Sequence, residues 1–432
     1  MTDLAWIEGA LTGARPRVVS ALLRYFRDLD TAEEAFQEAC LRALKTWPVK
    51  GPPRDPTAWL VLVGRNAALD GVRRRARERP LPEEAEISHL DDVETSLAER
   101  LDEGHYRDDI LRLLFVCCHP DLPDTQQIAL ALRIVSGLSV AEIARAFLVS
   151  DAAMEQRITR AKARVAKAEV PFEAPTAADR SERVARVAAM IYLVFNAGYS
   201  SLAAEAGERL CAEAIRLGWL LLRLFESEPE IMGLLALLLL QHARRQARLN
   251  EAGEVILLDD QDRSLWDAGS IAEGLALIDK AMRHRRPGPY QIQAAIAALH
   301  ARAARAEDTD WAQIEALYVA LERHQPSPVV TLNRAVAVSK IAGPEAALDL
   351  ITPLEARLSG YFHYFGLKGA LLLQLQRLGE AHAAFDRAIA LAADPAQAAH
   401  IRGQLDRLSR NPFVAQAENS ARGVETVAPP SS

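Results

Sequence analysis

Long apolar runs, β-branched stretches, hairpin turn pairs and cysteine are all scarce in this chain, and each scarcity removes a class of answer. The longest apolar run, from Ile231 to Leu240, is ten residues. A bilayer span needs about twenty, so a single buried helix is expected there. The opening MTDLAWIEGA has neither a basic segment nor a long apolar core, which argues against an export signal. Four cysteines are present. Cys40 lies on an apolar helix face, Cys117 and Cys118 are adjacent, and Cys211 stands alone. Without a CxxC, and with no second ligand pair for Cys117-Cys118-His119, buried thiols in a reducing cytoplasm are expected. Few Asn-Gly or Asp-Gly pairs leave little room for hairpins. No Gly-rich phosphate loop, HExxH, GxSxG or coherent His/Asp/Glu constellation occurs, so neither an enzyme nor a cofactor or metal is expected. Asp259, Asp260 and Asp262 lack the calcium-loop order and read as caps or ion pairs in a loop.

What is abundant is Ala, Leu, Arg and Glu, with 50% hydrophobic and 25% charged residues over 432 positions. That composition predicts a folded all-α protein of two or three domains. The net charge of −7 conceals a pattern. Arg65 to Arg79 holds six arginines against two acids, and Asp151 to Lys167 five cations against two acids. Between them, Leu81 to Asp109 holds eleven acids against two arginines. Two basic modules separated by an acidic linker are therefore expected.

The stretch LSVAEIARAFLVSDAAMEQRITRAKARVA predicts a helix-turn-helix. Ser139 and Glu142 have the spacing of a capping box, and Val140, Ile143, Ala144 and Phe147 share one face. Leu148-Val149-Ser150 makes a short turn, with Ser150 or Asp151 as the next cap. Met154, Ile158, Ala161 and Val165 form the buried stripe of the second helix. Its other face carries Gln156, Thr159 and Arg160, flanked by Glu155, Arg157, Lys162 and Arg164. That face suits a recognition helix whose first half meets base edges while later cations meet phosphates. An ordinary solvated amphipathic hairpin is the bland alternative.

Upstream, Thr31 and Glu34 have capping-box spacing, and an apolar stripe runs from Ala32 to Trp47 until Pro48 is expected to end it. Glu33, Glu34, Gln37, Glu38, Arg42 and Lys45 are expected on the exposed face. Asp55 and Pro56 then open a helix whose first half is apolar and whose last third is an arginine cluster. Downstream, connectors containing Thr309, Gly343 and Gly379 lie 34 and 36 residues apart, the period of tetratricopeptide repeats. In the last unit Gly369, Ala381, Phe385 and Ala388 hold that motif's small and aromatic positions. The domains expected are 1–80, an acidic linker at 81–105, a helix-turn-helix domain at 106–170, a tetratricopeptide-like array at 180–410, and a disordered tail at 411–432.

Read together, the first two modules resemble an alternative sigma factor of the sigma-70 family, extracytoplasmic-function type. AEEAFQEACLRALKTWP is similar to the family's region 2.2, DPTAWLVLVGRNAALDGVRRR to regions 2.3 and 2.4, and the helix-turn-helix to region 4. Nothing large enough for a region 3 lies between them. YLVFNAGYS, LDDQDRSLWD, GPYQIQAAIAALHA, DTDWAQIEALY and SPVVTLNRAVA resemble stretches of the subgroup with a tetratricopeptide-like C-terminal extension. The resemblance implies a cytoplasmic, membrane-free protein that directs core RNA polymerase to promoter DNA, with a C-terminal domain open to a protein or peptide partner. It implies polymerase contacts at Glu34, Gln37 and Glu38. For the −10 element it implies Asn66, Arg73, Arg74, Arg75 and Arg77. For the −35 element it implies Glu155, Gln156, Arg157, Thr159, Arg160, Lys162 and Arg164. The competing readings are a conventional helix-turn-helix regulator with a C-terminal sensor, and a scaffold whose repeats recruit partners. The Glu34/Gln37/Glu38 face and the second basic module at 65–79 speak against the first, and the scaffold reading accounts for the C-terminal half but not the N-terminal one.

Overall fold

The computed structural model describes residues 5–77, 103–147, 149–167, 177–199, 204–250, 255–392 and 401–402. The expected tail, and all but the last three residues of the expected linker, lie outside them. Among the described residues the architecture is all-α, as the composition predicts, and the chain divides into two compact units, Met1–Glu226 and Ser227–Ser432.

The first unit opens with α1 (Ala5–Phe26), α2 (Leu29–Lys50) and α3 (Pro56–Arg77), which pack on one another. Trp47 joins them, stacked on Trp6 at 5.9 Å between ring centroids and edge-on to Trp59 at 5.4 Å. Gly64 permits a close approach of α3 to α2: a Cβ there would lie 2.8 Å from the Ala35 carbonyl oxygen. Two boundaries differ from expectation. Asp28 caps α2, accepting from the Thr31 N–H, so the helix begins before the Thr31/Glu34 box. Pro48 lies inside the last turn, and the helix ends at Gly51, whose φ of 82° few other residues adopt easily. Proline costs little here because only Val49 and Lys50 follow it in the helix, so the hydrogen bond that it cannot donate belongs to the last turn.

α4 (Glu103–Cys117) and α5 (Asp124–Ile134) precede the helix-turn-helix pair, α6 (Val140–Ala146) and α7 (Asp151–Lys167). Both sides of the Ser139/Glu142 capping box form, and Ser150 accepts from the Ala153 N–H at the start of α7. Met154, Ile158, Ala161 and Val165 are buried, the stripe that the spacing predicts. α8 (Ala177–Tyr199) and α9 (Ala204–Leu224) form a hairpin that packs on α4, α5 and α6, so the helix-turn-helix and this hairpin share one body. Arg209 of α9 ion-pairs with Glu142 at 3.0 Å, against the cap of α6. Cys117, Cys118 and Cys211 are buried and Cys40 is half-buried; all four are free thiols. Burial pushes Cys40 up to about 11 and Cys118 up to about 12.

In the second unit, the apolar run becomes the heart of α10 (Pro229–His242), where every residue from Ile231 to Leu240 is buried. α11 (Ala268–Met282) and α12 (Pro289–Arg302) enclose it. Helices α13 (Trp311–His324), α14 (Pro328–Ala342), α15 (Pro344–Ile351), α16 (Phe362–Gln374) and α17 (Leu378–Leu391) then pack each on its neighbour in chain order. A local apolar core follows the series, with Tyr364, Phe385 and Ile351 fully buried in its last part. The acidic loop behaves as expected. Asp262 accepts from the Ser264 N–H and hydroxyl, Asp259 pairs with Lys340, and Asp267 caps α11. None of the described helices is long and apolar enough to cross a membrane.

Candidate nucleic-acid interface

On α7 the structure sorts the expected DNA-contacting residues by face. Glu155, Gln156, Thr159, Arg160 and Arg164 are exposed, and Arg157 is half-buried. Arg164 donates to the Asp121 carbonyl at 3.0 Å. Gln156, Thr159 and Arg160 lie at the i, i+3, i+4 positions of one stripe, so they reach the same strip of solvent. A bidentate amide or guanidinium donor there matches the hydrogen-bonding edges of bases in a major groove.

Lys162 departs from the expectation of a phosphate contact. Its side chain is only 20% exposed, and its ammonium reaches Asp30 at 2.6 Å and Glu33 at 2.8 Å, both on α2. Burial alone would lower its pKa. The hydrogen bonds and charge attraction from Asp30 and Glu33 outweigh that and raise it above an ordinary lysine.

On α2, Glu34 and Gln37 are exposed and Glu38 is half-exposed, pairing with Arg42 one turn on at 3.0 Å. Leu41 and Leu44 continue that face, 56% and 48% exposed. Two leucines in water beside acids form an apolar strip with a negative rim, the composition of a protein-docking face rather than of a DNA contact. Glu33, expected with these acids, is 4% exposed and points inward. There its carboxylate meets Arg15 at 3.3 Å, Arg133 at 3.3 Å and Lys162. Periodicity carried the signal: Leu29, Glu33 and Phe36 are spaced four and three on the buried face. Arg15 likewise precedes Val18 and Val19 by three and four positions and is 8% exposed. A charge inside an apolar stripe is the mark of a buried partner.

On α3, Asn66 is half-buried just past the apolar half of the helix. Its neighbour Arg65 lies over the ring of Tyr25, 5.8 Å from the centroid, and that ring is 53% exposed. Sequence reasoning did not single out this aromatic–cation pair beside Asn66. Arg73, Arg74, Arg75 and Arg77 fall in the last turns of α3, and their side chains lie outside the described residues. Among the described residues, no cluster of three or more His, Cys, Asp or Glu could hold a metal ion.

Comparison with known proteins agrees with the order of these elements. Residues 12–78 match Sigma-70 region 2, residues 112–165 match Sigma-70, region 4, and residues 183–282 match a family of unknown function (DUF6596). An uncharacterised protein of Rhizobium meliloti is 68% identical over 97% of this chain and 99% of its own length. A protein of Xanthomonas campestris pv. campestris named as a probable RNA polymerase sigma factor, RfaY, is 30% identical over 36% of this chain and 38% of its own length. Region 2 spans α1 to α3 and region 4 spans α4 to α7, which are the elements bearing the α2 and α7 faces. Such regions imply core RNA polymerase and promoter DNA as partners, and a transcription initiation factor rather than an enzyme. The N-terminal part of the chain thus carries the sigma-70 pair of regions 2 and 4 in that order, which supports kinship with the sigma-70 family.

Proposed function

We propose that this protein is an alternative sigma factor of the extracytoplasmic-function type, carrying a tetratricopeptide-like extension that regulates it. The observation that carries this reading is the pairing of two unlike exposed faces. One is the apolar, acid-rimmed strip of α2 (Glu34, Gln37, Glu38, Leu41, Leu44), and the other is the polar, cationic strip of α7 (Gln156, Thr159, Arg160). The first suits a cationic protein partner and the second suits DNA. Asn66 would read an unstacked base of the −10 element by its amide, with the α3 arginines tracking phosphates. The short interval between regions 2 and 4, residues 79–111, leaves no room for a region 3 domain and supports the subtype.

A regulatory part for the extension is supported by its contact with the reader. The α8–α9 hairpin, inside the family of unknown function, packs on the helix-turn-helix, and Arg209 holds Glu142. An effector can shift an equilibrium only through contacts that differ between its two states. The repeat-like pairs α13 to α17 offer the surface on which a peptide or protein partner would act. The test is reconstitution: the chain mixed with core polymerase should co-purify with it and start run-off transcription from a cognate promoter. Promoter binding without core, and no association with core, would favour a conventional helix-turn-helix regulator.

A further inference from the structure

The segment that joins α10 to α11 gathers cations and aromatic rings that neither the polymerase face nor the DNA face uses. Arg263 in this segment donates through Nη1 to the carbonyls of His300 at 2.5 Å and Ala303 at 2.7 Å, at the carbonyl end of α12. Its guanidinium lies over the ring of Trp266, 4.7 Å from the centroid, and that of Arg244 lies over the same ring at 5.9 Å. His300 stands T-shaped against Trp311 at 5.3 Å. The Lys340 ammonium is 5.5 Å from the centre of the Trp311 ring and 2.7 Å from Asp259. Residues 244–266, 300–311 and 340 thus meet in one cluster within the second unit.

One edge of the Arg263 guanidinium fastens the loop to α12, and that contact leaves the other edge unexplained. Nη2 of Arg263 and Nε1 of Trp266 are buried donors with no acceptor, and the Thr309 hydroxyl just before α13 is buried without a partner as well. Trp266 is 7% exposed and Thr309 6%. The acids nearest Arg263 are committed elsewhere: Asp259 to Lys340, and Glu307 and Asp308 to Arg305 at 3.1 and 2.9 Å. Burial, and then the charges of Arg244 and Arg263, push the His300 imidazole down to about 4, so the field at this point is positive. Buried donors are costly until an acceptor meets them, and a positive field favours an acceptor that carries negative charge. An oxyanion supplies both.

We propose that this cluster binds a small organic oxyanion, a carboxylate or a phosphate ester, through Arg263 Nη2 and Trp266 Nε1, with Arg244 adding a second positive charge. Arg244, Arg263, His300 and Trp311 are half-buried and Lys340 is 43% exposed, so the cluster opens to solvent. Asp259 and Asp260 of the same loop, and Glu307 and Asp308 of the turn before α13, are exposed. Acids at the rim repel a nucleic-acid strand or an acidic peptide, whereas a single compact anion fits between them. Leu257 and Leu265, 45% and 47% exposed, give an apolar body a surface to lie on. The site is separate from the faces proposed for polymerase and DNA and gives the extension a ligand of its own.

Calorimetric titration of the full-length chain tests it, with benzoate, phenyl phosphate and the uncharged benzyl alcohol as probes at one ionic strength. At least one anion should bind saturably, one per chain, with Kd at or below about 1 mM, and benzyl alcohol at least about tenfold more weakly. Benzoate against phenyl phosphate tells which oxyanion the site prefers. Trp266→Phe keeps an aromatic ring and removes the N–H, so it should weaken the preferred anion about threefold or more. Arg263→Gln should weaken it at least about tenfold. Saturation by neither anion, equal binding of benzyl alcohol, or unchanged affinity in either folded variant overturns the proposal. Arg263→Gln also removes the ties to α12, and Trp266→Phe decides alone if that variant does not fold. Neither polymerase nor DNA enters the titration, so its outcome is independent of the sigma reading, which the reconstitution above tests.

Discussion

At the scale of single residues, the reader helix pair rests on one capping box. Ser139 and Glu142 exchange hydrogen bonds at the start of α6. These bonds, the Ser139 hydroxyl first, hold the Glu142 carboxyl below the usual glutamate range, with Arg209 adding to the effect. A carboxylate whose pKa falls on folding contributes stability that is complete above its unfolded value of about 4.3. The contribution is lost as pH drops through the lower folded value. Thermal melts of the wild type should therefore fall more steeply than those of Glu142→Gln as pH drops below about 4. Ser139→Ala should cost about 1 kcal/mol at neutral pH, measured by denaturant unfolding. On the exposed face of α7, Gln156→Ala or Arg160→Ala should lose about 1–3 kcal/mol on the cognate upstream sequence and much less on unrelated DNA. Equal losses on both would assign these side chains to the backbone rather than to bases.

At the scale of elements, α2 presents two unlike faces, an exposed acid-rimmed strip and an inner face holding the buried Glu33, and substitutions can separate them. Charge reversal at Glu34 and Glu38 touches exposed side chains and should leave helicity intact while reducing capture of core polymerase by at least about tenfold, or about 1.4 kcal/mol. Full competition by the double variant in a pull-down would remove the docking assignment. In the second unit, α16 and α17 close on Gly369, where a Cβ would lie 2.5 Å from the ring of the fully buried Phe385. Gly369→Ala should destabilise by about 1–3 kcal/mol despite alanine's better helix propensity, lowering the melting temperature without touching polymerase capture.

The whole molecule is where the extension matters. The first unit runs to Glu226, so the α8–α9 hairpin belongs to the body that holds the reader, beyond the 170–180 boundary suggested by Pro171 and Pro175. A chain ended after Glu226 should retain the hairpin's support and bind core, yet lose run-off transcription at its own promoter. A chain ended near Pro175 should also lose the Arg209–Glu142 pair and melt at a lower temperature. Equal transcription from the full-length chain and the longer fragment would leave α10 to α17 without a regulatory role.

Much of this organisation was legible along the chain because it depends on local spacing. The helical class, the capping box, the stripe of Met154, Ile158, Ala161 and Val165, and the burial of Ile231 to Leu240 each follow from neighbours three or four residues apart. The motif order of regions 2 and 4 was legible for the same reason. Helix ends were less so: the start of α2 turned on Asp28 rather than Thr31, a choice between two nearby caps of similar strength. The fate of Glu33 and Lys162 was decided only by the fold. Periodicity can put Glu33 on the inner face of α2, but a carboxylate and an ammonium 129 residues apart have no local signature of pairing with each other. The tertiary fold brings Lys162 onto Glu33, whose side chain is 5% exposed, and a buried charge must find its opposite. What the sequence by itself determined was which helices form and which faces are apolar; which charges those faces bury against one another was left to the tertiary structure.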